Sequence, residues 1–213
     1  MRYENFGKNE YYHLSCAGNA SGLFLDDEDR ARFIFLLTHF QSPIRIYNTA
    51  WYTGRFIKKG SFFTDNNKTD QIIKKRNVEL IAFSILPHTF EMLVRNMADQ
   101  MVSVYMHRIL TAYSKYFNSK YNKKGHVFAG PFRATQIKAP QVPVLSALIH
   151  SSPKKIEEWK TSYEKYPWSS YSDYLGINRW GELLSIGTIM SRYKDKKLYR
   201  EFVTAHSTSQ KIF

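Results

Sequence analysis

Few side chains in this sequence could carry chemistry, and they are scattered. The seven histidines (His13, His39, His88, His107, His126, His150 and His206) include no pair two, three or four residues apart. Ligands sharing one face recur every two residues on a strand and every three or four on a helix, so no local His metal site is present. Cys16 is the only cysteine. That excludes an internal disulfide framework and a Cys-rich zinc site, and it suits a reducing compartment. A Gly-rich phosphate loop, a GxSxG elbow and an HExxH helix are all missing. The segment Leu86-Pro87-His88-Thr89-Phe90-Glu91-Met92-Leu93 brings an imidazole near a carboxylate. On a strand, however, His88 and Glu91 point to opposite faces, whereas Thr89 and Glu91 share one.

Charge is the stronger signal. The 213 residues hold 31 Lys and Arg against 18 Asp and Glu, a formal net charge of +13. A pI near 9.7 points to a polyanionic partner. Between Val102 and Ala139 there is no acid, and Arg108, Lys115, Lys120, Lys123, Lys124, Arg133 and Lys138 fall there, interleaved with His126, Tyr113, Tyr116 and Tyr121. Phosphates need Lys and Arg, and unpaired bases stack on aromatic rings. Arg108, Lys115, Lys120, Lys123, Lys124, His126, Arg133 and Lys138 are therefore the candidate nucleic-acid contacts, with Arg45, Arg55, Lys58 and Lys59 as a second group. No run of 18 apolar residues occurs and the first 15 residues lack an apolar signal core, so a cytoplasmic protein without a membrane partner is expected.

The elements that must position these residues follow from periodicity. Residues 11–16 read as a strand, and Asp26 caps a helix whose apolar positions Phe33, Leu36, Leu37 and Phe40 follow a helical period. Residues 78–86 form an apolar strand that resumes at 89–94 after Pro87, which implies an edge, bulge or kink. The clearest helix spans 101–121. A loop over 125–130 leads to a short strand at 134–137, then to a helix at 142–150 stopped by Pro153. Residues 166–171 form an aromatic turn, and 198–204 a last helix. Asp65–Lys68 reads as a turn, while 41–76 is compatible with a helix end, a hairpin or an insertion. This order predicts an α+β, ferredoxin-like split βαβ sandwich, mainly antiparallel, with helices on one face. Residues 1–176 would form the nucleic-acid-binding domain, with an insertion at about 41–76, and 177–213 a helical extension.

Several ordered segments resemble the single-tyrosine HUH transposases, in the branch associated with repetitive extragenic palindromes. They are Tyr12-His13 with Phe24–Arg30, the helix Val104–Asn118, Gly125–Arg133 (GHVFAGPFR, with Pro131 a departure), Tyr166–Gly176 (YPWSSYSDYLG) and Tyr199–Val203. The resemblance implies a ferredoxin-like nuclease fold that binds single-stranded DNA beside hairpins. In active members a tyrosine attacks a backbone phosphate polarised by a divalent metal, Mg or Mn, which two strand histidines and a polar side chain hold.

Each chemical position departs from that pattern. The metal histidines align with Thr89 and Glu91, the nucleophile with Leu148, and the remaining ligand with Ser152. The expectation is a transposase-like protein that binds single-stranded or hairpin DNA, with no confident catalytic residue, no metal site and no cofactor. Two other readings stay open. One is an active transposase with a relocated site, using Tyr113, Tyr116 or Tyr121, or a metal on Glu91. The other is a protein-interaction module built on Trp51, Tyr52, Phe56, Phe62 and Phe63. DNA and RNA, and monomer and dimer, are not separated.

Overall fold

The computed structural model describes residues 5–19, 22–60 and 66–207. Four strands, β1 (Tyr11–Ala17), β2 (Val78–Leu86), β3 (Thr89–Asn96) and β4 (Arg133–Ile137), form one sheet in the order β2-β3-β1-β4, antiparallel throughout. The helices are α1 (Asp27–His39), α2 (Thr49–Lys59), α3 (Asn66–Lys74), α4 (Met101–Lys120), α5 (Val142–Ser151), α6 (Tyr171–Leu175), α7 (Gly187–Met190) and α8 (Lys196–His206). Among the described residues no helix is long and apolar enough to cross a membrane.

Alternation decides which side of the sheet each helix covers. Tyr12, Leu14, Cys16, Phe90 and Met92 are buried on one face, under α1 and α4. Phe33 of α1 meets Phe90 at 4.7 Å and Tyr113 of α4 edge-on at 5.1 Å. The expectation of helices on one face holds for this pair only, because α5 lies across β2 and β3 on the other side. The reason is compositional: β2 is apolar at nearly every position rather than alternating, so both of its faces need cover.

Pro87 and His88 form the two-residue turn of a β2–β3 hairpin, so Pro87 costs the sheet no ladder bond. The outer edge of β2 is closed by the segment 163–185. Ser170 N–H donates to Phe83 O at 2.9 Å, Ile85 N–H to Trp168 O at 2.9 Å and Ser185 N–H to Leu80 O at 2.9 Å. The hydroxyls of Tyr166 and Tyr174 donate to Ile85 O and Ile81 O, each at 2.7 Å. An edge strand left bare would template aggregation, so the aromatic turn caps it.

Within 41–76 the described residues form α2 and α3, two helices that the mixed composition hid. The turn expected around Asn66–Lys68 is the first turn of α3, and Asp65, Phe62 and Phe63 lie outside the described residues. Beyond residue 176, Trp180, Leu183, Leu184, Ile189, Tyr199 and Val203 are buried in the same core as the sheet.

Candidate nucleic-acid interface

Strand register assembles polar side chains that the sequence keeps far apart. Ser15 pairs with Glu91 on one side and Arg133 on the other, and Glu91 pairs in turn with Ser84. Directly opposed residues point the same way, so a row Ser84–Glu91–Ser15–Arg133 crosses the sheet. His13 stands one row away, between Leu93 and Thr135, and Thr89 stands opposite Ala17. These residues share the α5 side, which is left open toward β1 and β4. Lys155, in the 3₁₀ turn Ser152–Lys155 after α5, reaches Glu91 at 3.4 Å. Burial holds the His13 imidazole below its usual range; Glu91 opposes that shift and Lys155 adds to it. His88 is exposed in the hairpin turn and does not join the row. Sequence spacing could not reveal the proximity of His13, Glu91 and Lys155, because β1, β3 and the end of α5 meet only through pairing.

The positions matching the family's metal ligands are committed elsewhere. The Thr89 hydroxyl donates to Cys16 O at 3.0 Å and the Ser152 hydroxyl to Ile149 O at 2.8 Å. Glu91 faces the Lys155 ammonium, and Leu148 offers no polar atom. Among the described residues no three His, Cys, Asp or Glu side chains come together as an ion site.

The three tyrosines considered as substitute nucleophiles lie behind the sheet, on the α1–α4 side. Tyr113 OH donates to Leu23 O, Tyr116 OH to Asp29 Oδ1 at 3.0 Å and Tyr121 OH to Asp29 Oδ2 at 2.8 Å. Burial raises all three phenols above their ordinary range, and the neighbouring Asp29 carboxylate adds to the shift. Tyr113 is buried and Tyr116 and Tyr121 are half-buried; hydrogen-bonded phenols with raised pKa are poor nucleophiles, and a sheet separates them from Glu91.

The basic residues divide into two groups. Lys120 bonds Asp26 at 2.7 Å, Glu28 at 3.0 Å and Asp29 at 3.0 Å, closing the capped start of α1 against the end of α4. Arg108 donates to Phe40 O and Ser42 O and lies 4.6 Å over the Phe40 ring. Both residues are committed to the fold. Lys115, Lys123, Lys124, His126, Arg133 and Lys138 are exposed. The loop bearing Lys123, Lys124 and His126 is anchored by its apolar members: Val127 is buried and Phe128 packs on Tyr113 and Phe90. Apolar anchors thus present an acid-free basic loop beside β4, whose outer side bears no strand among the described residues.

Of the aromatics in the insertion, Tyr52 and Phe56 are buried, Tyr52 stacking on Phe35 and Phe56 meeting Trp180. Trp51 is exposed.

No family model matches the chain, and no curated protein matches it. Among solved structures the chain is similar to the REP-associated tyrosine transposase bound to a REP hairpin, with 13% sequence identity and a TM-score of 0.51. The match covers 84% of this chain and 86% of that one. At that identity the likeness is one of fold.

Proposed function

We propose that this protein binds hairpin DNA with a single-stranded flank, through the segment Lys123–Lys138 and the open sheet face, and does not cut it. The observation that carries the proposal is the exposed, acid-free basic loop beside β4, in a fold shared with a transposase captured on a hairpin. The strand order and the βαββαβ succession support a ferredoxin-like split βαβ core. The loss of cleavage rests on the occupants of the chemical positions: Thr89 and Ser152 donate to backbone carbonyls, Glu91 faces Lys155, and Leu148 has no nucleophile. The Lys155 ammonium balances the Glu91 carboxylate at this sheet face, which lessens the repulsion an approaching phosphate would meet but offers no metal's open coordination position.

The test is fluorescence anisotropy with a labelled hairpin bearing an unpaired flank, against plain duplex and the RNA version. The wild type is expected to prefer the flanked DNA hairpin, with affinity falling steeply as salt rises. K123E/K124E/R133E is expected to lose at least tenfold. Equal, weak binding to every competitor defeats the specific reading. A nick or covalent adduct formed with Mg or Mn defeats the non-cleaving half.

A further inference from the structure

The chain from Arg30 to Thr64 also lacks acids, and it carries Arg30, Arg32, Arg45, Arg55, Lys58 and Lys59. Within it α2 is amphipathic. Its inner side, Tyr52 and Phe56, packs on Phe35 and Trp180, so the helix is held without help from its outer side. That outer side carries Trp51, 55% exposed, with Ile57, Lys58 and Lys59. An indole left in water forfeits the burial that makes tryptophan stabilising in a fold. Two neighbours nonetheless fix its plane: the Arg55 guanidinium, one turn on, lies 5.2 Å over the ring, and Tyr52 meets it edge-on at 5.0 Å. Asn48, Ala50, Trp51 and Tyr52 line a shallow cleft beside it, of about 560 Å³.

We propose that Trp51 is a stacking platform for one unpaired nucleobase of a single-stranded DNA flank, with Lys58 and Lys59 meeting the neighbouring phosphates. This rests on the hairpin-binding reading and adds a second contact to it. The occupant follows from charge. A π face set among cations, with no carboxylate in 35 residues of chain, matches a base carried on a phosphate backbone. An apolar protein patch docking there would have to desolvate those cations without a counter-charge. Lys58 and Lys59 lie about two helical turns beyond Trp51, roughly 10 Å along the axis, a span of about three nucleotides at roughly 3.4 Å of rise each.

The experiment compares a hairpin carrying an eight-nucleotide unpaired flank with the same hairpin made blunt, by anisotropy at fixed salt. The proteins are the wild type, W51A, W51F and K58E/K59E, each checked for unchanged thermal unfolding. W51A is expected to weaken flanked-hairpin binding about tenfold, while changing the blunt one less than twofold. W51F, which keeps a ring, should stay within about threefold of wild type, and K58E/K59E should lose affinity for the flanked form. Flank-dependent quenching of tryptophan fluorescence should vanish in W51A. If W51A binds the flanked hairpin like wild type, or wild type binds both forms equally, the platform is wrong while hairpin binding stands. Binding to neither form sinks both. Self-association lost in W51A with DNA affinity intact assigns the face to a second protein molecule and overturns the inference.

Discussion

On the open sheet face two charged side chains act on one imidazole. His13 is kept neutral near pH 7 by burial, Glu91 favours its protonated form and Lys155 opposes it. Glu91→Gln should therefore lower the His13 pKa further, and Lys155→Met should raise it; imidazole resonances followed by NMR through a pH titration read both. Shifts of the opposite sign, or none, would show that the three do not interact. Thermal stability should barely change in Lys155→Met. Its ammonium is 68% exposed, and solvent leaves such a pair about 0–1 kcal/mol.

Two local networks lock elements together. At the start of α1, Asp26 accepts from Asp29 N–H at 2.9 Å while the Asp29 carboxylate accepts from Asp26 N–H, a reciprocal cap. Partial burial resists ionisation of Asp26, but Lys120 and the Asp29 amide outweigh it and hold the carboxyl below its usual range. Asp26→Ala is expected to cost about 1 kcal/mol in urea unfolding, mostly as the lost cap. Beside β2, the Ser170 hydroxyl accepts from Phe83 N–H at 2.9 Å and bonds the His150 ring at 2.8 Å, with Tyr199 OH on the other ring nitrogen at 2.7 Å. All three side chains are buried. Ser170→Ala leaves a buried amide and a ring nitrogen unpaired, so a loss of about 2 kcal/mol is expected in the same assay. An unchanged midpoint would mean that the turn does not brace β2.

Over the whole molecule, buried histidines couple folding to protons. Burial pushes His39 down to about 4 and His150 down to about 3. In the unfolded chain both titrate near 6.5. Unfolding below pH 6.5 therefore takes up about two protons, and stability falls as pH drops from 6.5 toward 4. The loss between pH 7 and pH 5 should be roughly 4 kcal/mol, measured by urea unfolding at the two values. A flat or rising profile would show that the rings are protonated in the fold. Charge acts at this scale on binding too. Each removed Lys or Arg that touches a phosphate should reduce the salt slope of DNA affinity by about one. A substitution at Arg108 or Lys120 should act through stability instead, since both are spent inside the fold.

The sequence by itself determined the net charge, the acid-free runs, the Asp26 cap, the strand over 78–86 and, to within one residue, the helix read at 101–121 and found at Met101–Lys120. Each is a local property, of composition or of one period. The segment 41–76 was unreadable because Tyr52 and Phe56 turn inward and Trp51 outward within a single helix, and mixed aromatics without a known core give no direction. The tertiary structure alone decided that Lys120 and Arg108 are bound internally while Lys123, Lys124 and Arg133 are exposed, because a lysine's partner can lie ninety residues away. It also decided the row Ser84–Glu91–Ser15–Arg133, since strand register is set by pairing across the sheet and not by neighbours along the chain.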